Sequence, residues 1–280
     1  MSPKIRRMLV VLLLVGVAST AFAQFRGGGF RGFGGFRRVP PRMASPDSFD
    51  GRYHFCRLMF ESTYREDGGQ GWRTDYPDAD INFSIRLSEL TKTTVAFDEE
   101  GEPDFLVLPI MDPLLFRCPW VILEDGGTAW FSDEEVEQLR AYLLKGGFLW
   151  LDDFWGSAAW ENWVLQISRV LPPGEFPIVD VPPDHLIFRM MFEVREIPQV
   201  PSIQHWRRLG GGTSERGIDS ADVHFRSIQD EHGRIMVLMT HNTDIADGWE
   251  REGEDRRYFY TFSPDSYAVG INIMLYMMSN

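Results

Sequence analysis

The sequence predicts an α/β fold, a three-layer sandwich around a mostly parallel sheet, from three observations. Strand and helix patterns alternate along the chain. Several strands are apolar on both faces, as strands covered on both sides must be. The stretch WFSDEEVEQLRAYLLKGGFLWLDDFWG, Trp130 to Gly156, reads as a capped helix, a glycine stop and a buried strand that ends in two carboxylates.

Each element has its own local warrant. Arg52 to Phe60 (RYHFCRLMF) reads as a strand with two largely apolar faces. Asp80 is placed to cap a helix from Ile81 to Thr91, whose Phe83, Leu87 and Leu90 form a buried stripe. Short strands are expected near Thr94–Phe97 and over Asp104–Ile110. Ser132, with Glu135 three residues on, forms a capping box for a helix whose Val136, Leu139, Leu143 and Leu144 recur at helical spacing, and Gly146-Gly147 ends it before Phe148 to Leu151. A Trp-rich helix follows from about Ser157 to Val170, stopped by Pro172-Pro173. Val223–Gln229 and Arg234–His241 pair as a hairpin around Asp230-Glu231-His232-Gly233. Tyr258–Phe262 reads as a further strand, with Ser263 capping a final helix at whose first position Pro264 stands.

The amino terminus carries a different message. Lys4, Arg6 and Arg7 precede the apolar run Met8 to Val17, and Ala21-Phe22-Ala23 offers small residues for cleavage. Residues 1–23 are therefore expected to be a secretory signal peptide, leaving Gln24 first in a periplasmic or secreted protein. The apolar run is shorter than the ~20 residues that span a bilayer, and no later segment is long enough, so no membrane span is expected after cleavage. Residues 24–50, rich in Gly, Arg, Phe and Pro, are expected to be a disordered leader, and 51–280 one domain.

The full chain of 280 residues has a formal charge of −13, and the segment removed contains three basic and no acidic residues, so the exported form is more acidic still. Such a surface repels nucleic-acid phosphates, which excludes nucleic acid as a partner, and favours cationic ligands, metal ions or plain solubility. The partner expected is an unknown envelope ligand or protein.

GGQGWRTDYPDADINFSIRLSELT, the helix–Gly-Gly–strand–Asp-Asp stretch, PDHLIF, and THNTDIADGWE followed by SYAVGINIMLYMM together resemble the bacterial domain-of-unknown-function family 4159. That family is similar to the class I glutamine amidotransferase-like fold, a flavodoxin-like arrangement shared with trehalose-utilisation (ThuA-like) proteins. The resemblance implies a fold and a rim at the carboxyl ends of the strands, where open α/β sheets bind ligands. It also exposes a departure. Where amidotransferases carry a nucleophilic Cys, this chain reads Asp152-Asp153-Phe154-Trp155-Gly156, so no thioester can form by that route. Cys56 and Cys118 are expected to be two buried, unpaired thiols, with pairing after export as the alternative.

Four groups of residues are candidates for chemistry. Asp152 and Asp153 are adjacent on a strand, so only one points readily into a given pocket, and one of them can instead cap the next helix. Thr240 to Glu250 gathers His241, Asn242, Asp244, Asp247 and Glu250, an imidazole, an amide and three carboxylates suited to metal coordination or acid–base work, or to an Asx-rich turn that satisfies its own backbone. Gly68 to Asp80 brings Trp72, Arg73 and Asp75 behind glycines, without a Gly-x-Gly-x-x-Gly or Walker pattern, so no cofactor is expected. Trp155 and Trp249 stand beside the acidic turns as rings able to hold a sugar, core packing being the commoner use of Trp. His185, in PDHLIF, has a claim through the resemblance, ranked below His241. A ligand-binding domain is the first functional reading. The alternative is a hydrolase acting on carbohydrate or another envelope polymer, with Asp153, His241 and Asp244 as catalytic groups.

Overall fold

A computed structural model describes residues 39–65 and 69–279 of the chain. The expected signal peptide and most of the expected leader lie outside the described residues. Among the described residues, nine strands and six α-helices follow one another between residues 56 and 279. The strands are β1 (Cys56–Met59), β2 (Glu61–Ser62), β3 (Leu106–Pro109), β4 (Trp120–Glu124), β5 (Ala129–Trp130), β6 (Phe148–Asp152), β7 (Ile178–Asp180), β8 (His224–Gln229) and β9 (Ile235–His241). The helices are α1 (Asp78–Leu90), α2 (Asp133–Leu144), α3 (Gly156–Val170), α4 (Ile203–Arg208), α5 (Asp247–Glu250) and α6 (Arg256–Ser279).

Seven strands form one sheet in the order β3-β1-β4-β6-β9-β8-β7. β1, β3, β4, β6 and β9 run parallel, while β8 and β7 are added antiparallel at one edge. The mainly parallel sheet expected from sequence is therefore present, as a mixed one, and β8 and β9 pair as the anticipated hairpin. Alternation along the strands feeds two separate cores. Phe55, Trp120, Ile122, Phe148, Trp150 and Leu238 face α1, α5 and α6, whereas Cys56, Leu58, Val121, Leu123, Leu149, Leu151 and Met239 face α2 and α3. That gives three layers.

The local signals at α2 hold. Glu135 N–H donates to Ser132 Oγ at 3.2 Å, and Ser132 N–H donates to Glu135 Oε2 at 2.9 Å. Gly146 then adopts φ 108, a conformation that needs no Cβ.

Several sequence expectations are corrected. α1 starts at Asp78, with Pro77 in the capping position, so Asp80 is not a cap. It lies inside the first turn, fully buried, because Arg57 on β1 is also fully buried and demands an anion. Arg57 Nε donates to both Asp80 oxygens at 3.1 Å, and Nη1 donates to the carbonyls of Thr74 at 2.8 Å and Trp72 at 3.3 Å. The strand expected at Tyr258–Phe262 is helix. Tyr258 and Phe262, four apart, are buried while Tyr260 between them is 66% exposed, a helical period that outweighs the strand preference of aromatic residues. The helix begins after Asp255, whose Oδ1 accepts from the N–H groups of Arg257 and Tyr258, so Ser263 caps nothing and Pro264 sits inside α6. Near Thr94–Phe97 there are only isolated bridges, Tyr53 to Val95 and Phe97 to Pro103. β4, in the middle of the sheet, was not anticipated.

Part of the 24–50 segment expected to be a leader is ordered. Arg42 O accepts from Val107 N–H at 2.8 Å and Ala44 N–H donates to Val107 O at 3.1 Å, so this segment joins the sheet edge beside β3. Arg42 pairs with Asp98 and Asp104.

The two cysteines do not remain thiols. Cys56 and Cys118 form a disulfide, with Cα atoms 6.4 Å apart. Their separation of 62 residues in sequence gave no hint of this. β1 and β4 are neighbours in the sheet, and that adjacency brings Cys56, opening β1, beside Cys118, just before β4.

Two outcomes follow from these constraints. Arg57→Ala leaves Asp80 buried without its cation, and urea denaturation should show a loss of about 3–5 kcal/mol, whereas the double change Arg57→Met with Asp80→Leu should recover most of it. Reducing the disulfide should lower stability by about 4 kcal/mol, the chain-entropy value for a loop of 62 residues, read as a drop in the urea midpoint under dithiothreitol.

Candidate functional site

Parallel strands leave the sheet at one edge, and strand alternation decides which of their last side chains meet. Register places Arg57 beside Ile122, Ile122 beside Trp150 and Trp150 beside Leu238. These residues face α1, α5 and α6. Two residues further along, Glu124, Asp152 and Thr240 face the same way, and all three are fully buried. Asp152 is held there by Thr240, whose hydroxyl donates to Oδ1, and by Ala246 N–H, which donates to Oδ2 at 3.0 Å.

The loops beyond the strands add more carboxylates. Asp75 lies in the loop before α1, at φ 62, with 7% of its surface exposed. Asp125 follows Glu124 at φ 53, and its Oδ2 accepts from Gly71 N–H at 2.7 Å. A Cβ on Gly69 would collide with the Asp125 carboxylate, which is why glycine stands there. Asp153 turns out of β6 at φ 49, and its Oδ1 accepts from Trp155 Nε1–H at 3.0 Å. Asp244 Oδ1 accepts from Asp247 N–H at 2.8 Å, and Asp247 Oδ2 accepts from Ile203 N–H at 2.9 Å and from the Tyr258 hydroxyl at 3.0 Å. Asp75, Asp247 and Glu250 each bring one carboxylate oxygen within 4.8 Å of the other two.

Little positive charge offsets this concentration. Arg57 belongs first to Asp80 and reaches Glu124 only at 4.0 Å. Arg251 Nε lies 2.6 Å from Glu250 Oε2 and 3.5 Å from Asp247 Oδ1. Burial consequently drives the carboxyls upward. Asp152 is pushed to about 7, chiefly by burial, and Asp75 to about 7 by burial and then by Asp247. Glu124 rises well above the carboxylate range through burial and Asp152, Asp153 through burial and Asp75, Asp244 through burial and Asp153, and Glu250 through burial and Asp75. At neutral pH the centre must hold protons or a cation.

The candidates from sequence separate into two sets. Asp75, Asp152, Asp153, Asp244 and Asp247 meet in this centre. His241 does not, since it follows Thr240 and points to the other face of the sheet. Its Nε2 lies 3.0 Å from Gly156 O, and its ring packs on Phe154, Trp160 and His224. Burial lowers it to about 4, so it is a neutral, structural imidazole at pH 7. Asn242 caps α3, its Oδ1 accepting from Gly156 N–H at 2.8 Å, while Asp219 accepts from Ser157 N–H at 2.9 Å. Neither Asp152 nor Asp153 serves as that cap. His185 caps a short 3-10 turn and packs on Tyr276, which bonds to the backbone of Ile235 at the opposite end of β9.

Among the aromatics, Trp249 is fully buried between Phe83 and Trp150, so it holds no ligand. Trp155 is 4% exposed and lines an open depression of about 420 Å³ with Tyr64, Glu215 and Arg216. Trp72 is partly buried, and the Arg73 guanidinium stacks over it at 4.3 Å.

Glu124 and Asp125 were missed as site residues, although a signal for them existed, while Glu250 was counted among the acids of its loop. WVILED repeats the pattern of FLWLDD, an apolar strand ending in two acids, and Glu124 is the register partner of Asp152. The family model described as Domain of unknown function (DUF4159) matches residues 57–278, and the chain belongs to that family. No curated protein matches the chain.

The shifted carboxyls give stability an unusual pH dependence. Between about 4 and about 7 the folded chain keeps the Asp152 proton that the unfolded chain has released, so raising pH across this window favours unfolding by ~1.4 kcal/mol per unit. His241 opposes this between its folded value of about 4 and its unfolded ~6.5, because there the unfolded chain holds the extra proton. Asp75 adds to the fall, so urea midpoints in EDTA should be higher near pH 5 than near pH 7.5, and Asp152→Asn should flatten the difference.

Proposed function

We propose that this chain is an exported, ligand-binding domain of the cell envelope, built on an amidotransferase-like, flavodoxin-like fold without its thiol chemistry. The observation that carries the reading is the convergence of carboxylates from separate strand ends and loops at one sheet edge, around Asp75, Asp152, Asp153, Asp244 and Asp247. A centre with more anions than Arg57 and Arg251 can neutralise suits a cationic ligand. The two sulfurs are joined to each other at the amino ends of β1 and β4, away from that edge, which argues against a glutaminase. The disulfide also fits an oxidising compartment, in line with the signal sequence read at residues 1–23. Among the described residues no helix is long and apolar enough to cross a membrane. His241 lies apart from Asp153 and Asp244, which removes the acid–base partner that a hydrolase reading needs.

The test has two parts. Expression of the full chain in a Gram-negative host should yield a periplasmic form beginning at Gln24, identified by mass. A precursor that stays uncleaved in the cytoplasm refutes export. The purified mature chain should release no ammonia from glutamine, and a panel of cationic small molecules should include one that raises its melting temperature with concentration. Asp153→Ala should abolish that rise while leaving the circular dichroism unchanged. Glutamine hydrolysis that is lost in Cys56→Ser or Cys118→Ser would overturn the reading.

A further inference from the structure

The strongest unexplained feature is a set of buried carboxylate oxygens with nothing to bond to. Asp75 is more than nine-tenths buried, yet its Oδ2 has no hydrogen-bond partner, and neither oxygen of the fully buried Glu124 beside it has one. A buried, unsatisfied carboxylate costs several kcal/mol while ionised, so these groups need either a proton or a cation. Asp75 aims at Asp247 and Glu250, with one oxygen of each within 4.8 Å of the others. The carboxyls of Asp247 and Glu250 lie against each other, as do those of Asp75 and Asp244. Carboxylates in such contact repel unless they share a proton or something cationic sits between them, and a bound cation would release that proton.

The cation paired with Asp247 and Glu250 fits poorly. Arg251 Nε approaches Glu250 Oε2 to 2.6 Å, but neither atom achieves hydrogen-bond geometry, and the guanidinium reaches Asp247 only at 3.5 Å. It leaves Asp75 Oδ2 unserved.

We propose that Asp75, Asp247 and Glu250 form a binding site for a hard divalent cation, with calcium preferred over magnesium. The inference rests on the reading of this edge as a ligand site and supplies the class of its ligand. Three arguments select the ion. The donors are all carboxylate oxygens, which suit calcium, magnesium or manganese and not the nitrogen- and sulfur-seeking metals. Oxygens within 4.8 Å of one another share a centre no more than about 2.8 Å from each, so a small closing movement at most brings all three to the ~2.4 Å calcium–oxygen distance, and calcium's flexible coordination accepts such a set more readily than magnesium's strict octahedron at ~2.1 Å. The ligands are also oriented from behind. Ile203 N–H and the Tyr258 hydroxyl fix Asp247 through Oδ2, which leaves Oδ1 toward the centre. Arg251 is partly exposed and paired also with Glu254 at 3.4 Å, so it can swing outward when the ion enters.

The experiment is calorimetric titration of the purified, chelator-stripped mature chain with calcium chloride alone, then with magnesium chloride alone, at constant ionic strength. Calcium should bind saturably with one ion per chain, at about 0.1–1 mM or tighter, as extracellular calcium sites do. Magnesium should bind at least several-fold more weakly. Asp75→Asn is the informative variant, because Asn tolerates the left-handed backbone at this position and preserves shape while removing charge. It should weaken calcium at least tenfold, as should Glu250→Gln, with folding verified by circular dichroism. Asp133→Asn, far off on the exposed start of α2, should change nothing. Absence of saturable binding of either ion up to about 10 mM, or binding that both site variants leave intact, overturns the proposal. A chain that responds to an organic cation but to neither metal keeps the broader reading and loses this one, while metal binding that the site variants abolish, without any organic ligand, supports both and makes the metal the ligand of this edge.

Discussion

A single buried cation organises the carboxyl edge of this protein. Arg57 sits on a central strand with no exposure, where an uncompensated guanidinium would cost several kcal/mol. Its donors are therefore all directed inward, to Asp80 on α1 and to the carbonyls of Thr74 and Trp72. Those bonds fix a stretch that has no regular structure of its own. The loop that carries Asp75 is positioned by Arg57 from below, by the Asp125 carboxylate through Gly71 N–H, and by α1, whose first turn holds Asp80. The position of Asp75 is thus a consequence of a charge on another element.

Parity along the strands explains which chemistry gathers there and which does not. Arg57, Glu124, Asp152 and Thr240 share a face because each lies an even number of residues from a neighbour in register. His241, one residue beyond Thr240, is turned into the aromatic layer of the opposite face. A residue type that looks reactive in sequence becomes a neutral packing group through a rotation of half a period.

Local signals were legible because they act over a few residues. The Ser132 capping box, the glycine stop at Gly146 and the β8–β9 hairpin are each specified by side chains within one turn of the backbone they control. What could not be read depends on contacts between distant segments. The Cys56–Cys118 bond requires β1 and β4 to be neighbours, and the buried place of Asp80 requires Arg57 to lie beneath it. Tyr258 to Phe262 carries strand-forming residues, and only the core that accepts Tyr258 and Phe262 on one side makes it helical. At the site, the loops suggested Asp75, Asp152, Asp153, Asp244 and Asp247. Sequence alone could not exclude His241, because the sheet register that excludes it is a tertiary property.

The acidic centre depends in turn on an apolar anchor. α5 spans only Asp247–Glu250, too short to hold its place by its own hydrogen bonds. Trp249 supplies what the backbone lacks, with its indole 4.4 Å from Phe83 and 5.5 Å from Trp150, and with its carbonyl accepting from Asn82 Nδ2–H at 2.8 Å. The approach is possible only because Gly270 on α6 has no side chain, since a Cβ there would strike the indole and Phe83. Asp247 and Glu250 flank this buried ring, so the packing that fixes Trp249 also fixes the two carboxylates. The same aromatic layer excludes water beneath them. Charges in such a medium interact more strongly than on a surface, which raises the cost of leaving the carboxylates unpaired and the gain when a cation pairs them. The hydrophobic core and the acidic site are therefore one construction, in which burial of Trp249 sets both the geometry and the strength of the electrostatics above it.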